Sequence, residues 1–125
     1  MKRQILGTTA KPYVQGLKVT GGQSLVFISG QIARDEQDEV YAPNDLEQQA
    51  RYIFTNIEKL VCEAGGTMKN VVKIVAYVTT LEAYGSYGAI RREFFGDHLP
   101  TSSTVQVTSL VTPGCVIEIE AIAVL

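Results

Sequence analysis

The alternation of apolar and polar positions along the chain predicts a series of β-strands interrupted by two helices. The first two strands are expected over residues 13–20 and 24–32, joined as a hairpin at Gly21-Gly22, where glycine supplies positive φ. A short third strand is expected at Val40-Tyr41. The later strands, which are rich in β-branched residues, are predicted over residues 71–79, 103–110 and 115–124.

The first helix is marked by apolar residues at helical spacing. It runs to about Ala64, and Gly65-Gly66 ends it. Asn44 is predicted to cap its first turn, with Glu47 completing a capping-box pattern. The apolar face of this helix is formed by Leu46, Ala50, Ile53, Ile57, Leu60 and Ala64.

The second helix is predicted over residues 81–96, with Thr80 as its cap. Its inward face contains an arginine, Arg91, among aromatic residues. Those aromatic residues are Tyr84, Tyr87, Phe94 and Phe95. A glycine inside a helix costs about 1 kcal/mol relative to alanine, so Gly88 indicates close packing or space for a ligand.

This order of elements predicts an α+β fold, with a mixed β-sheet and two helices on one face, in a single domain spanning residues 1–125. The last strand places apolar residues on both of its faces. One face has Ile117, Ile119, Ala121 and Ala123, and the other has Val116, Glu118, Glu120, Ile122 and Val124. Because two helices cover only one face of such a sheet, oligomerisation is expected.

The composition of the chain argues against several classes of function. The 125 residues carry a net charge of −2 and no extended basic cluster, so nucleic acid is not an expected partner. No apolar run is long enough for a signal peptide or a membrane span, and a cytoplasmic location is expected. Cys62 and Cys115 are expected to be small buried apolar residues, and with His98, a loop residue beside the cleft, they form no metal-ligand pattern.

Several short motifs are typical of one family. They are Pro12-Tyr13-Val14-Gln15-Gly16, Ile28-Ser29-Gly30-Gln31-Ile32, Ala64-Gly65-Gly66 and Ile117-Glu118-Ile119-Glu120-Ala121-Ile122-Ala123. On these motifs the chain resembles the Rid family of reactive intermediate deaminases, which were formerly classified as endoribonucleases. The resemblance implies a chorismate-mutase-like Rid fold, a homotrimer with a central β-barrel, and small-molecule sites in the clefts between subunits.

The resemblance also implies a reaction and roles for particular residues. Rid enzymes hydrolyse an enamine or imine to a carbonyl compound and ammonia without a metal or organic cofactor. By resemblance, Glu118 positions the hydrolytic water, Tyr13 lines the substrate pocket, and Ser29 and Gly30 face the ligand. Other interpretations stay open, because Tyr13 could be an aromatic filler and Ser29-Gly30 only a strand end. Glu120 is expected to pair with a buried lysine or arginine or to form a hydrogen bond across the trimer axis, since buried charges are paired.

The chain departs from the family at two positions. Where the family has Pro-Ala-Arg-Ser/Thr-x-Val, residues 100–105 read Pro-Thr-Ser-Ser-Thr-Val, so Ser102 replaces the arginine that binds the substrate carboxylate. Gly88 replaces an asparagine that is common in active members. Ser102 and Thr104 offer hydroxyl groups but neither the charge nor the fork that a carboxylate prefers. The substrate is therefore expected to differ from 2-aminoacrylate.

Two alternatives follow from these departures. The guanidinium of Arg91 either snorkels to solvent over its buried stem or reaches into the space at Gly88 as a relocated anion-binding group. The protein as a whole is either such a hydrolase or a non-catalytic, metabolite-binding or regulatory trimer of the same fold.

Overall fold

A computed structural model describes residues 1–7 and 12–125 of the chain. Its elements in chain order are β1 (Lys2–Leu6), β2 (Gly16–Thr20), β3 (Leu25–Gln31), α1 (Leu46–Glu63), a short 3-10 turn (Met68–Asn70), β4 (Val71–Val78), α2 (Tyr84–Phe95), β5 (Thr101–Gln106) and β6 (Ile117–Val124). Within the described ranges, no helix combines the length and apolarity needed to cross a membrane.

The main sheet has four strands in the order β3-β6-β4-β5, so β3 and β5 form its edges. The β4–β5 pair is parallel and the other pairs are antiparallel, which makes the sheet mixed. Buried and partly buried residues alternate along all of β6, as predicted. With the two helices packed on one face, the predicted α+β fold is confirmed.

The core lies between α1 and the covered face of the sheet. Ile53, Phe54 and Ile57 of α1 are fully buried there. The Phe54 ring also contacts the second helix: its centroid lies 6.0 Å from that of Tyr87 and 5.5 Å from that of Phe95. Aromatic packing of this kind fixes α2 against α1, and α2 in turn carries the residues of the candidate site.

The first helix ends as predicted but begins differently. Gly65 follows it at φ +96°, a conformation that glycine adopts at little cost. The N-cap is Asp45, whose carboxylate accepts a hydrogen bond from the Gln48 N–H at 3.0 Å. The predicted cap, Asn44, is wrong by one residue, since it lies at φ 62° in the turn before the helix.

The predicted hairpin between the first two strands is also wrong. β2 pairs with the N-terminal strand β1 in a separate two-stranded sheet, with Lys2 opposite Thr20. After Gly21-Gly22 the chain crosses to the main sheet, where the Gln23 N–H donates to the Leu125 carbonyl at 2.7 Å. The guanidinium of Arg3 ties the small sheet to the body by donating to the carbonyls of Lys69 and Leu99.

Smaller differences concern element ends. The expected third strand is only an isolated bridge between Arg34 and Val40. Thr80 accepts a hydrogen bond from the Glu82 N–H in a turn, and α2 begins three residues later than predicted, at Tyr84, without a side-chain cap. β5 begins at Thr101 and stops at Gln106, and β6 begins at Ile117.

The two cysteines differ in exposure, and this predicts different reactivity. Cys62 is exposed, so its expected burial is wrong, whereas Cys115 is buried at 4% exposure. Burial raises the pKa of the Cys115 thiol, and the thiolate is the reactive form. We expect iodoacetamide to modify Cys62 in the native protein and Cys115 only after unfolding, as measured by peptide mass spectrometry. Equal labelling rates for the two residues would contradict this picture.

Candidate functional site

A cavity of about 460 Å³ opens between α2 and the segment that leads into β2. Its walls are formed by Pro12, Tyr13, Tyr84, Gly85, Gly88, Ala89, Arg91 and Arg92. A Cβ atom at Gly88 would lie 3.4 Å from Cγ of Pro12 and 3.7 Å from Nη2 of Arg91, which is ordinary contact. The absence of a side chain at Gly88 therefore leaves space in front of the arginine.

Arg91 is buried at 2% exposure and surrounded by aromatic rings. Its Cζ lies 4.6 Å from the ring centroid of Tyr87 and 5.7 Å from those of Tyr13 and Tyr84. Its Nη1 donates a hydrogen bond to Oγ of Ser102 at 2.8 Å, whereas its Nε is buried without a partner in the described part of the chain. The interpretation in which the guanidinium reaches solvent is therefore wrong.

The tyrosine nearest to this cation is uncharged at neutral pH. Burial raises the pKa of Tyr87 far above its ordinary value, and the opposing effect of Arg91 is smaller. Tyr87 therefore offers Arg91 the face of a neutral ring. Its own hydroxyl is buried and has no hydrogen-bond partner among residues 1–7 and 12–125.

The second group of predicted residues lies around Glu118. This residue is partly buried in β6, and its carboxylate packs against Gly30 so closely that a Cβ at Gly30 would overlap it. Ser29 and Gly30 fall where the β3–β6 register shifts, between Ile28 and Gln31. Such a bulge turns the backbone of the edge strand toward the carboxylate.

Glu120 has a structural partner, although a different one from the basic residue expected. The hydroxyl of Tyr77 donates to its Oε1 at 2.5 Å. This hydrogen bond, followed by burial, raises the pKa of Tyr77. This hydrogen bond lies within one chain and occupies an oxygen of the Glu120 carboxylate. By contrast, the carboxylate of Glu118 makes no hydrogen bond to another residue within 1–7 and 12–125.

The two groups of residues lie on opposite faces of the sheet, because residues paired across neighbouring strands point to the same side. Ser102 pairs with Ile74, which is buried beneath the helices. Glu118 pairs with Tyr77 on the uncovered face. In one chain the α2 half-site (the cavity with Arg91 and Ser102) and the β3 half-site (Ser29, Gly30 and Glu118) are thus separate.

The structure therefore brings the predicted residues together in two sets. The α2 half-site collects Tyr13, Gly88, Arg91 and Ser102, and the β3 half-site collects Ser29, Gly30 and Glu118. Thr104 lies on the same side of β5 as Ser102, opposite Ala76, and its buried hydroxyl has no hydrogen-bond partner among the described residues. His98 is partly buried and borders a different surface cavity with Phe95.

Tyr84 and Tyr87 were predicted only as packing residues, and their contact with the arginine was missed. Their spacing from Arg91, seven and four positions along one helix, was the available signal. No cluster of three or more His, Cys, Asp or Glu side chains that could hold a metal ion occurs in the described part of the chain.

Comparison with known proteins places this chain in a family. The sequence model of the family described as Endoribonuclease L-PSP matches residues 4–125. TdcF of Escherichia coli, which carries the name of a reactive intermediate deaminase, is 36% identical over 116 residues, covering 90% of this chain and 86% of its own length. The chain belongs to the Rid family. A RutC family protein of Pyrococcus abyssi is 31% identical over 112 residues, with coverage of 90% and 85%.

Solved structures agree with this assignment. RidA of the Antarctic bacterium Psychrobacter sp. PAMC 21119 is 31% identical to this Rid protein, with a TM-score of 0.75 and coverage of 94% and 92%. The Rid family protein YyfB of Yersinia pestis superposes with a TM-score of 0.86 over the whole of both chains. At 24% identity, that likeness concerns the fold.

Proposed function

We propose that this Rid protein hydrolyses an enamine or imine to a carbonyl compound and ammonia, with Glu118 as the group that orients water. The observation that carries the proposal is the state of this carboxylate. It lies against the backbone of Gly30 and makes no hydrogen bond to another described residue. The carboxylate of Glu120, two residues away, accepts a hydrogen bond from Tyr77. A carboxylate whose oxygens are available for water suits general base catalysis.

The reaction balances with water as the only co-reactant. An enamine first becomes its imine as its carbon gains a proton and its nitrogen loses one. Water then adds to the imine carbon while its proton passes to the carboxylate of Glu118, and that proton is returned to nitrogen to give the carbinolamine. The hydroxyl proton of the carbinolamine then passes to the nitrogen as the C–N bond breaks, which releases ammonia and leaves the carbonyl compound. Because imines already react with water, positioning and one base supply the catalysis required.

We propose a homotrimer in which the uncovered faces of three sheets form a central barrel. That face is apolar and open in one chain: Phe27 is 71% exposed, Leu25 63% and Val105 45%. Exposed apolar surface of this kind is typical of an interface. The α2 half-site adjoins edge strand β5, and the β3 half-site lies by the opposite edge. Neighbouring copies placed edge to edge would complete a small-molecule site between subunits, in a cytoplasmic enzyme.

The substrate proposed for this site differs from 2-aminoacrylate. Ser102 itself carries no charge, so a carboxylate is not held from β5 as it would be by the family arginine, and the cavity beside Gly88 has room for a larger molecule. Relative to a family member with arginine at the matching position, we expect about thirty- to a thousandfold lower kcat/KM toward 2-aminoacrylate. The measurement is a side-by-side assay in which an enzyme generates the imine in situ. Equal rates for the two proteins would contradict the proposed difference in substrate.

The same assay, extended to imines made by an amino-acid oxidase from a panel of larger amino acids, tests the activity itself. Accelerated release of ammonia over the reaction without protein is the expected result. Binding of the corresponding 2-oxo acids without any acceleration would instead indicate the non-catalytic, metabolite-binding alternative. Cleavage of RNA is not expected from a chain of net charge −2.

A further inference from the structure

We infer that Arg91 is the anion-binding residue of this protein, presented by α2 and positioned by Ser102, and that it binds the carboxylate of a ligand in the cavity beside Gly88. The inference rests on the proposed function for the identity of the site. It adds the residue that selects the ligand and the ligand's charge.

The first support is the missing counter-ion. Burying a charge is costly unless the charge is paired. Arg91 is 2% exposed, and the ion pairs in the described part of the chain involve other arginines, Arg34 with Asp38 and Arg51 with Glu93. Among residues 1–7 and 12–125, the groups that face its charge are aromatic rings and one hydroxyl, so an anion would complete the site.

The second support is the direction of the free donors. Nη1 is used by Ser102, and Nη2 lies 3.7 Å from the position of a Cβ at Gly88, on the cavity wall. The rings of Tyr13, Tyr84 and Tyr87 restrict the guanidinium, so it is held ready to bind. A planar carboxylate matches such a fork better than it matches a single hydroxyl.

The third support is the composition of the cavity. Its charged lining residues are Arg91 and Arg92, and no carboxylate is among its described lining residues. The remaining surface is aromatic or small, with Tyr13 and Tyr84 facing Gly85 and Ala89. This arrangement fits a carboxylate with an apolar body, such as a 2-imino acid whose side chain is larger than a methylene group.

The test is isothermal titration of the assembled protein with two stable probes, 2-oxobutyrate and phenylpyruvate, and with their neutral amides. Arg91→Met keeps the buried stem and removes the charge. We expect about a thirty- to thousandfold loss of acid affinity and little change for the amides. Arg91→Lys keeps the charge without the fork and should lose about tenfold. Lys59→Met, which removes an exposed charge from α1, is the matched control and should bind like the wild type.

Ser102 is a positioning residue, and its variants separate that role from simple packing. Ser102→Ala should weaken binding of the acids but not of the amides, and Ser102→Thr should restore it. Thermal unfolding gives a second readout. Without ligand, Arg91→Met should unfold at a higher temperature than the wild type, because replacing a buried unpaired charge by an apolar group is often stabilising. Saturating 2-oxo acid should raise the Tm of the wild type only.

Equal acid affinity for wild type and a folded Arg91→Met protein would overturn the assignment. So would dissociation of Arg91→Met into monomers, because a carboxylate of a neighbouring copy would then be the partner of Arg91. The probes need no chemistry, so the two proposals can fail separately. Binding that depends on Arg91, without any turnover, would reject the hydrolase activity and support the anion site. Turnover that is unaffected by Arg91→Met would support the hydrolase activity and reject the anion site.

Discussion

Replacing Glu118 by glutamine is expected to lower the kcat of imine hydrolysis about 10²- to 10⁴-fold, the usual contribution of a positioned general base. Glutamine keeps the shape of the side chain against Gly30 but cannot accept a proton from water. Affinity for 2-oxo acids should change by less than about threefold, since binding energy is assigned to the α2 half-site. Turnover is followed by ammonia release, and affinity by isothermal titration.

The matched control is Glu120→Gln, two residues away on the same face of β6. Glu120 accepts a hydrogen bond from Tyr77 and has no role in the proposed reaction, so the turnover of Glu120→Gln should stay within a few fold of the wild type. A Glu118→Gln protein with wild-type kcat would show that this carboxylate is not the base. An equal loss in both variants would indicate a general effect of negative charge on that face.

The second large effect concerns the sharing of the site between subunits. Gly88→Leu should fill the cavity and abolish activity, and Glu118→Gln should abolish activity from the other half-site. Co-expression of the two inactive chains should restore about a quarter of wild-type activity, because that fraction of clefts pairs two intact half-sites in randomly mixed, symmetric trimers. Light scattering on the purified mixture checks that trimers have formed.

Two controls accompany the co-expression experiment. Inactive proteins purified separately and mixed without subunit exchange should stay inactive. If co-expressed chains form trimers but remain inactive, the site lies within one chain and the shared cleft is wrong. If the protein is a monomer at micromolar concentration, a site shared between subunits is also contradicted.

Local signals in the sequence predicted most of the fold. The glycine end of the first helix and the alternation on β6 are set by neighbours close in the chain, and the structure confirms both. The apolar face predicted for that helix is buried from Leu46 to Ile57, but its last two members, Leu60 and Ala64, are exposed. The pairing of β2 depended on a distant contact instead. The chain before residue 8 had no strong strand pattern, yet it forms β1 and takes the place that β3 was expected to hold. Turn chemistry at Gly21-Gly22 permits a reversal but does not choose the partner strand.

In the candidate site, too, local signals were sufficient for some features and distant contacts decided others. The motifs predicted which residues belong to the site, and the serine at the position of the family arginine indicated Arg91 as an alternative anion-binding residue. The guanidinium of Arg91 donates a hydrogen bond to Ser102, the residue that replaces the family arginine. This contact depends on how α2 packs near β5, and spacing along one helix cannot specify that packing. The separation of Glu118 from Arg91 likewise follows only from strand order and register.

The close approach of Glu118 to Gly30 ties one mutable position to the placement of this carboxylate. Every other amino acid has a Cβ, and a Cβ at Gly30 would occupy the space of the end of the Glu118 side chain. Because that end is flexible, alanine at Gly30 would leave a protein that folds, but the carboxylate would be displaced. Under the proposed function, a substitution at Gly30 would therefore alter the position of the proposed base and not the stability of the sheet.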